Sequence, residues 1–396
     1  MRVLHIIPDD KFWTTIKAMF DRVNVQNEYV CIVNKKTIKT KFVDPDIVQT
    51  IPQDKASTLW NRENVDVFVF HSIPYEYYDY VLSIGSNRIV IAVSWGFDIY
   101  YSQMGCPPLL QLVLYKPKTS RLLKDLNKTS FVKLKIRRAL KCLLKREYRI
   151  RRLNEKQQLN ERRILQRRVL DRIDFWSTVL PFEYELLRTH VGIVADSFPI
   201  HYTYRFLSES FPTIDVGKVG SIMIGNSSDP TNNHLDILDI LTRRRIQNRL
   251  FVPLAYGVDD YRDAIVNYLM SHSIDSDIQT ELVPRKEYME KLMHCGAAVL
   301  GHIRQQAVGN LNLCMLLGIK VFLFKESIAY HYFKSLGSFV YSIEDDLFPE
   351  ELLKPLTKEQ IEINRKNLDW LSLDRVIPEV NQAFERIEQN LVKTRS

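Results

Sequence analysis

The feature that most limits the fold of this chain is an alternation. Short runs of apolar, β-branched and aromatic residues are each followed by a stretch with helical spacing, and the series occurs twice. The first run, Val3-Leu4-His5-Ile6-Ile7, stops at Pro8-Asp9-Asp10 and reads as a buried strand entering a loop. Behind it Phe12, Ile16, Met19, Phe20 and Val23 fall at i, i+4, i+7, i+8 and i+11, one buried face of a helix. Residues 29–33, 65–70 and 88–93 are further strand candidates, and residues 173–180 and 192–196 resume the pattern after a long basic segment. Strands alternating with helices predict a parallel, doubly wound sheet.

A polar, turn-prone stretch over residues 205–220 separates this from a second series. Ser221-Ile222-Met223-Ile224 leads into Gly225-Asn226-Ser227-Ser228-Asp229-Pro230 and a helix, followed by a strand over 250–254 and a second helix. The run Ala297-Ala298-Val299-Leu300-Gly301, a helix over 310–317 and a strand over 320–324 come next. The expected organisation is a Rossmann-like domain over 1–205 with a basic helical insertion at 116–172, then a linker over 206–218. A second Rossmann-like domain follows over 219–356, and terminal helices over 357–396 brace the first domain. At 396 residues the chain exceeds what one hydrophobic core usually organises, which agrees with two domains.

The charge is confined to one place. Residues 116–172 hold 21 Lys and Arg against 5 Asp and Glu, leaving 34 against 42 in the rest of a chain whose net charge is +8. Within the segment Val132, Ile136, Ala139, Leu140 and Leu143 repeat with helical period, while Lys133, Arg137 and Lys141 lie among the basic positions between them. A cationic amphipathic helix of this kind suits the headgroup plane of an anionic membrane; a solvated arm packed on its own domain is the plain alternative. Nucleic acid is the weaker partner, because the segment has no interleaved aromatics before Phe175-Trp176 and the remaining chain is acidic. No run approaches the roughly 18 to 20 apolar residues that span a bilayer, and the N-terminus turns acidic before a signal-peptide core develops. Five widely spaced cysteines without a CxxC pair support neither a disulfide framework nor a zinc site, in keeping with a reducing cytoplasm.

Three segments carry a family resemblance. Residues 222–229 (IMIGNSSD) with Asn233-His234, residues 252–257 (VPLAYG) and residues 304–311 (RQQAVGNL) resemble the TDP-N-acetylfucosamine:lipid II N-acetylfucosaminyltransferase family, also called the 4-alpha-L-fucosyltransferase family. Phe70-His71 and residues 95–100 (WGFDIY), each after a strand, resemble it too. The resemblance implies the GT-B plan, two Rossmann-like domains with the active site in the cleft between them. It also implies transfer of N-acetylfucosamine, or a related 4-amino-4,6-dideoxyhexose, from a TDP-type nucleotide sugar. The implied acceptor is an undecaprenyl-diphosphate-linked saccharide in surface polysaccharide synthesis, at the cytoplasmic face of the bacterial inner membrane. A capsule or O-antigen transferase with another donor is the nearest alternative, and a non-catalytic basic binding protein is the alternative of another class.

Read as chemistry, the loop from Gly301 to Gly309 stands before a helix whose first amides and partial positive charge suit a diphosphate, with Gly301 letting it approach and Arg304 adding a bidentate contact. An ordinary strand-to-helix turn with a solvated Arg is the plain reading. Gln305, Gln306, Gly309 and Asn310 belong to the same candidate donor site, as do Gly225, Asn226 and Ser227 in the glycine-rich turn after the first strand of the second domain. Tyr256 is a candidate to cover the nucleobase, and Glu326 a candidate to accept from the ribose hydroxyls; each is equally a residue at a strand end. Deprotonating an acceptor hydroxyl calls for a carboxylate or imidazole, for which Asp98 and His71 are the candidates and the Asp9-Asp10 loop a distant third. Asp98 could equally cap the segment it opens, and His71 could be a satisfied core histidine. The triplets Asp44-Pro45-Asp46 and Asp275-Ser276-Asp277 fit a metal-binding DxD only superficially, so neither a metal nor another cofactor is expected, and Arg304 with the helix N-terminus would meet the departing charge.

Overall fold

The computed structural model describes residues 1–10, 12–33, 40–60, 62, 64–126, 145–200, 220–352 and 354–395. They form two compact units. The first comprises Met1–Gln111, Arg152–Glu209 and Asp369–Ser396, and the second Leu112–Arg151 and Ser210–Leu368. The expected linker at 206–218 and the candidate membrane residues Lys133, Ile136, Arg137, Leu140, Lys141 and Leu143 lie outside the described residues.

Among the described residues the first unit is built on seven parallel strands, β1 (Arg2–Ile7), β2 (Gln26–Val33), β3 (Gln49–Pro52), β4 (Val67–His71), β5 (Ile89–Val93), β6 (Phe175–Ser177) and β7 (Asp196–Ser197). Their order in the sheet is β3-β2-β1-β4-β5-β6-β7. The apolar runs fall on β1, β2, β4 and β5, whose Val3, Leu4, Ile6, Phe68 and Phe70 are fully buried, as strands covered on both faces require. The expected strand over 192–196 is displaced: Gly192 sits at φ +69 closing a wide π-helical turn, and pairing begins only at Asp196. The terminal helix Leu373–Arg395 belongs to this unit and buries Val376, Val380, Phe384 and Ile387 at helical spacing. Phe384 meets Phe198 at 5.2 Å and Phe20 at 6.4 Å between ring centroids.

Part of the positive charge has a structural use here. Late in the helix Lys145–Arg172, Arg167 donates to the carbonyls of Val191 and Gly192, and Arg172 to those of Ile84, Gly85 and Arg88. Guanidinium forks thus hold the end of the basic helix on loop carbonyls of the first unit.

The second unit has, among the described residues, six parallel strands, β8 (Ser221–Ile224), β9 (Leu250–Pro253), β10 (Ser276–Gln279), β11 (Cys295–Leu300), β12 (Lys320–Leu323) and β13 (Val340–Ser342), ordered β10-β9-β8-β11-β12-β13. The chain winds outward from β8 to one edge and then restarts at β11 toward the other. This is the doubly wound order, and its direction reverses between β8 and β11, where such sheets open a crevice beyond their carboxyl ends. Residues 112–126 pack on this unit, with 117–126 helical and Leu122 and Leu123 set against a core that includes Ile237, Leu241 and Phe324.

Candidate functional site

The turns after β8 and β11 flank that reversal point, and they are the two loops singled out for donor binding. Gly225 sits at φ +64, where a Cβ would stand 2.5 Å from His234 Nε2, so only glycine fits. Gly301 is needed for another reason. A Cβ there would meet the carbonyl oxygen of Asn232 at 2.2 Å, so the space it leaves is taken by the neighbouring backbone.

A chain of side-chain hydrogen bonds joins the loops. Asn226 Nδ2 donates to Tyr256 Oη at 2.8 Å, and Gln306 Nε2 donates to Asn226 Oδ1 at 3.3 Å. Thr231 Oγ1 bonds both Gln306 Oε1 and Asp229 Oδ1, and Asp229 Oδ2 lies 3.8 Å from Arg304 Nη2. Asn232 Nδ2 closes the turn on the carbonyls of Ser227 at 3.1 Å and Asp229 at 3.0 Å. Most of these side chains are buried, so the network fixes the crevice wall in one arrangement.

Arg304 is 9% exposed and donates through Nη1 to Gln305 O at 2.8 Å. The helix Val308–Leu317 starts two residues earlier than expected, which puts Gly309 and Asn310 in its first turn, beside amides that precede the first helical hydrogen bond. Ala307 reaches that helix through a left-handed conformation, φ +53, uncommon for a residue with a side chain. Tyr256 is 43% exposed, next to Asn226. Glu326, the candidate for the ribose hydroxyls, pairs with Lys116 Nζ at 2.5 Å.

His302, in the same loop as Arg304, was not singled out from sequence. Fully buried beside Arg304, it has no hydrogen-bond partner at either ring nitrogen among the described residues. Burial, then the nearby Arg304 and His234, pushes its pKa down to about 3, and burial does the same for His234, also to about 3. Both imidazoles are therefore neutral. A lone histidine after an apolar run carries no signal of this kind, which exists only once burial is known.

In the first unit the two candidate bases stand at and just beyond the ends of adjacent strands. His71 closes β4 and is fully buried against Phe20, its Nε2 3.0 Å from His5 Nδ1, and His5 Nε2 in turn meets Asn27 Oδ1 at 2.9 Å. Burial and the neighbouring His5 hold His71 well below the usual imidazole range. Asp98 lies in the short helix Phe97–Tyr100 after β5, and its Oδ1 accepts the N–H groups of Trp95 and Gly96, each at 3.0 Å. Burial pushes its carboxyl up to about 6, against the pull of backbone N–H groups of Trp95, Asp98, Ile73 and Gly96. The capping geometry is thus present together with a pKa close to neutrality, the range a general base needs. Asp9 is occupied otherwise, accepting the N–H groups of Lys41, Phe42 and Val43; burial works upward on it, and these bonds outweigh burial to hold its pKa below the ordinary value.

The DxD triplets take up other tasks. Asp44 Oδ1 accepts the Asp46 N–H at 2.9 Å, while Asp275 and Asp277 pair with Arg249 and Lys291. No helix among the described residues is long and apolar enough to cross a membrane.

A sequence model of the 4-alpha-L-fucosyltransferase family, glycosyl transferase group 56, matches residues 153–374, more than half of the chain. Similar solved structures include the sucrose-phosphate synthase of Thermosynechococcus elongatus, at TM-score 0.58 and 9% identity over 98% of this chain and 100% of that one. A glycosyltransferase from Rickettsia africae aligns at TM-score 0.57 and 10% identity over 98% and 99%. The lipopolysaccharide outer core galactosyltransferase WaaB, in its apo form, aligns at TM-score 0.54 and 10% identity over the whole of both chains. At such identities the likeness is one of fold, the GT-B plan of two Rossmann-like units. No curated protein matches the chain by sequence.

Proposed function

Because the chain belongs to the 4-alpha-L-fucosyltransferase family of glycosyltransferases, we propose that its second unit binds a TDP-linked sugar in the crevice between β8 and β11. The observation that carries this is the reversal of strand order at β8 and β11, flanked by turns fixed through Asn226, Gln306 and Arg304. The sugar is N-acetylfucosamine or a related 4-amino-4,6-dideoxyhexose, and the diphosphate rests on the first-turn amides at Gly309 and Asn310 with Arg304 beside them. Gly225, Asn226 and Ser227 shape the opposite wall, Gln305 and Gln306 the near one, and Tyr256 covers the base.

Transfer breaks the bond from the sugar's anomeric carbon to the diphosphate and forms one to an acceptor hydroxyl, whose proton must be taken. Asp98 takes it in this reading. Its raised pKa favours it over His71, whose Nε2 is engaged with His5 in the core. The acceptor is an undecaprenyl-diphosphate-linked saccharide reached at the cytoplasmic face of the inner membrane, where the basic segment 116–172 meets anionic lipid.

Calorimetric titration of the full chain with TDP, UDP and GDP, followed by a panel of nucleotide sugars scored for hydrolysis, tests the reading. Saturable binding with TDP preferred supports it. Equal affinity for the three would transfer the proposal to a glycosyltransferase of another donor, and no binding to any would remove the donor site from this crevice.

A further inference from the structure

Beyond the sheet of the second unit lies a strap, residues 112–126, which precedes that sheet in sequence by about a hundred residues. Asn233 secures it. Its Oδ1 accepts the Lys116 N–H at 2.8 Å, while Nδ2 donates to Leu114 O at 3.1 Å and to Gly301 O at 2.7 Å. One buried side chain thereby fixes the Lys116 backbone relative to the loop after β11. Asp236 adds two more bonds, accepting the N–H groups of Lys118 at 2.8 Å and Thr119 at 2.9 Å. These amides open the helical residues 117–126, where a carboxylate is favoured.

The backbone of Lys116 is therefore held firmly, yet its side chain ends at the surface. Nζ lies 2.5 Å from Glu326 Oε2 and 4.5 Å from the centroid of the Phe324 ring. The Glu326 side chain is 62% exposed, and an ion pair with so exposed a carboxylate is weakly held, so the ammonium can change partner at little cost. Asn233 and Glu326 both lie beyond the carboxyl ends of the strands, on the side where open sheets take their ligands. Another cation after the strands, Arg304, is already engaged with Gln305 O and approached by Asp229. A nucleotide sugar brings two phosphate charges, and their number grows as the diphosphate departs.

We propose that Lys116 is a donor-binding residue whose ammonium contacts the diphosphate of the nucleotide sugar, with Glu326 as its partner in the free protein. The proposal rests on the reading of the crevice as a nucleoside diphosphate site and adds to it a ligand from a segment outside the Rossmann sheet. A cation delivered on a strap completes a phosphate site that the loops after β8 and β11 furnish mainly with amides and one shielded guanidinium.

The test is calorimetric titration of the full chain and its variants with TDP, TMP and thymidine. Lys116→Met keeps the aliphatic stem over Phe324 and removes the charge. It should weaken TDP at least tenfold, weaken TMP less, and leave thymidine within twofold, while Lys116→Arg retains TDP within about threefold. Equal loss for all three ligands would make Lys116 a structural tie, and unchanged TDP affinity in a folded Lys116→Met protein would also overturn the proposal. Should Lys116→Met not fold, Lys116→Arg and Lys116→Gln decide it: TDP affinity must follow the charge, kept in the first and lost in the second. Failure of the wild-type chain to bind any nucleoside diphosphate would instead sink the underlying site assignment.

Discussion

Gly301 admits the backbone of Asn232 so closely that a single methyl group on it would stand 2.2 Å from the Asn232 carbonyl oxygen. The obstacle is main chain, which cannot rotate aside. Gly301→Ala should cost about 3 kcal/mol, the upper end of the range for overpacking a tight site. It should also weaken TDP, because Asn233 ties Gly301 to the strap. Urea unfolding measures the first effect; an unaltered midpoint would mean that the two loops part readily.

Arg304→Ala should weaken TDP by about 1.5 to 3 kcal/mol, the scale of a charge-assisted hydrogen bond. Titration of a variant with unchanged circular dichroism measures this. Equal affinity would take the guanidinium out of the phosphate site and leave it as a tie to Gln305 O.

For Asp98 the expectation has two parts. Asp98→Asn should lower turnover by ~10² or more with TDP affinity within a few-fold. Since the carboxyl titrates at about 6, wild-type turnover should rise with pH through that value and level off above it, and the variant should lack that limb. The stability sign is opposite. A folded-state pKa raised above the usual carboxyl value of 3.8 means that protonated Asp98 favours the fold, so its contribution is full below 3.8 and lost as pH rises through about 6. Activity that survives in Asp98→Asn and vanishes in His71→Ala would reassign the base.

The buried histidines act the other way. His5 is pushed down to about 4 by burial and His234 and His302 to about 3, so the unfolded chain binds more protons than the folded one below 6.5. Their contribution is complete above 6.5 and lost as pH falls toward 3, each adding up to ~1.4 kcal/mol per pH unit. His302→Gln should flatten the dependence of the urea midpoint on pH between 6.5 and 4. A slope identical to wild type would show that His302 does not stay neutral in the fold.

Residues 116–172 should bind liposomes containing phosphatidylglycerol, with binding that falls steeply with salt and drops when Ile136 and Leu143 are both replaced by Ser. Lys116 and Lys118 are paired with Glu326 and Asp239, so the charge for the membrane comes from beyond them. Co-sedimentation decides this. Equal binding to zwitterionic liposomes, or none to either kind, would leave the segment as a solvated arm.

The central strands were legible because burial on both faces writes a continuous apolar run, as in Val67-Phe68-Val69-Phe70. The edge strands β3, β10 and β13 were not, since Gln49–Pro52, Ser276–Gln279 and Val340–Ser342 are short and mostly polar or half-exposed. The candidate site divides along the same line. Glycine turns at Gly225 and Gly301 announce themselves because they follow strands. The pairing of Lys116 with Glu326, and the reach of Asn233 and Asp236 to the strap, span more than a hundred residues and leave no local pattern.

The strap has a consequence for how the protein is made. Lys116, Lys118 and Thr119 leave the ribosome well before Asn233 and Asp236, so their backbone N–H groups must stay on water until those partners are synthesised. A fragment cut to residues 220–368 would contain every strand of the second sheet and still be incomplete, with Asn233 and Asp236 turned toward missing amides and the leucine-covered patch of core laid bare. Its boundaries in space and along the chain differ, and an excision that follows the sequence would divide what folding joins.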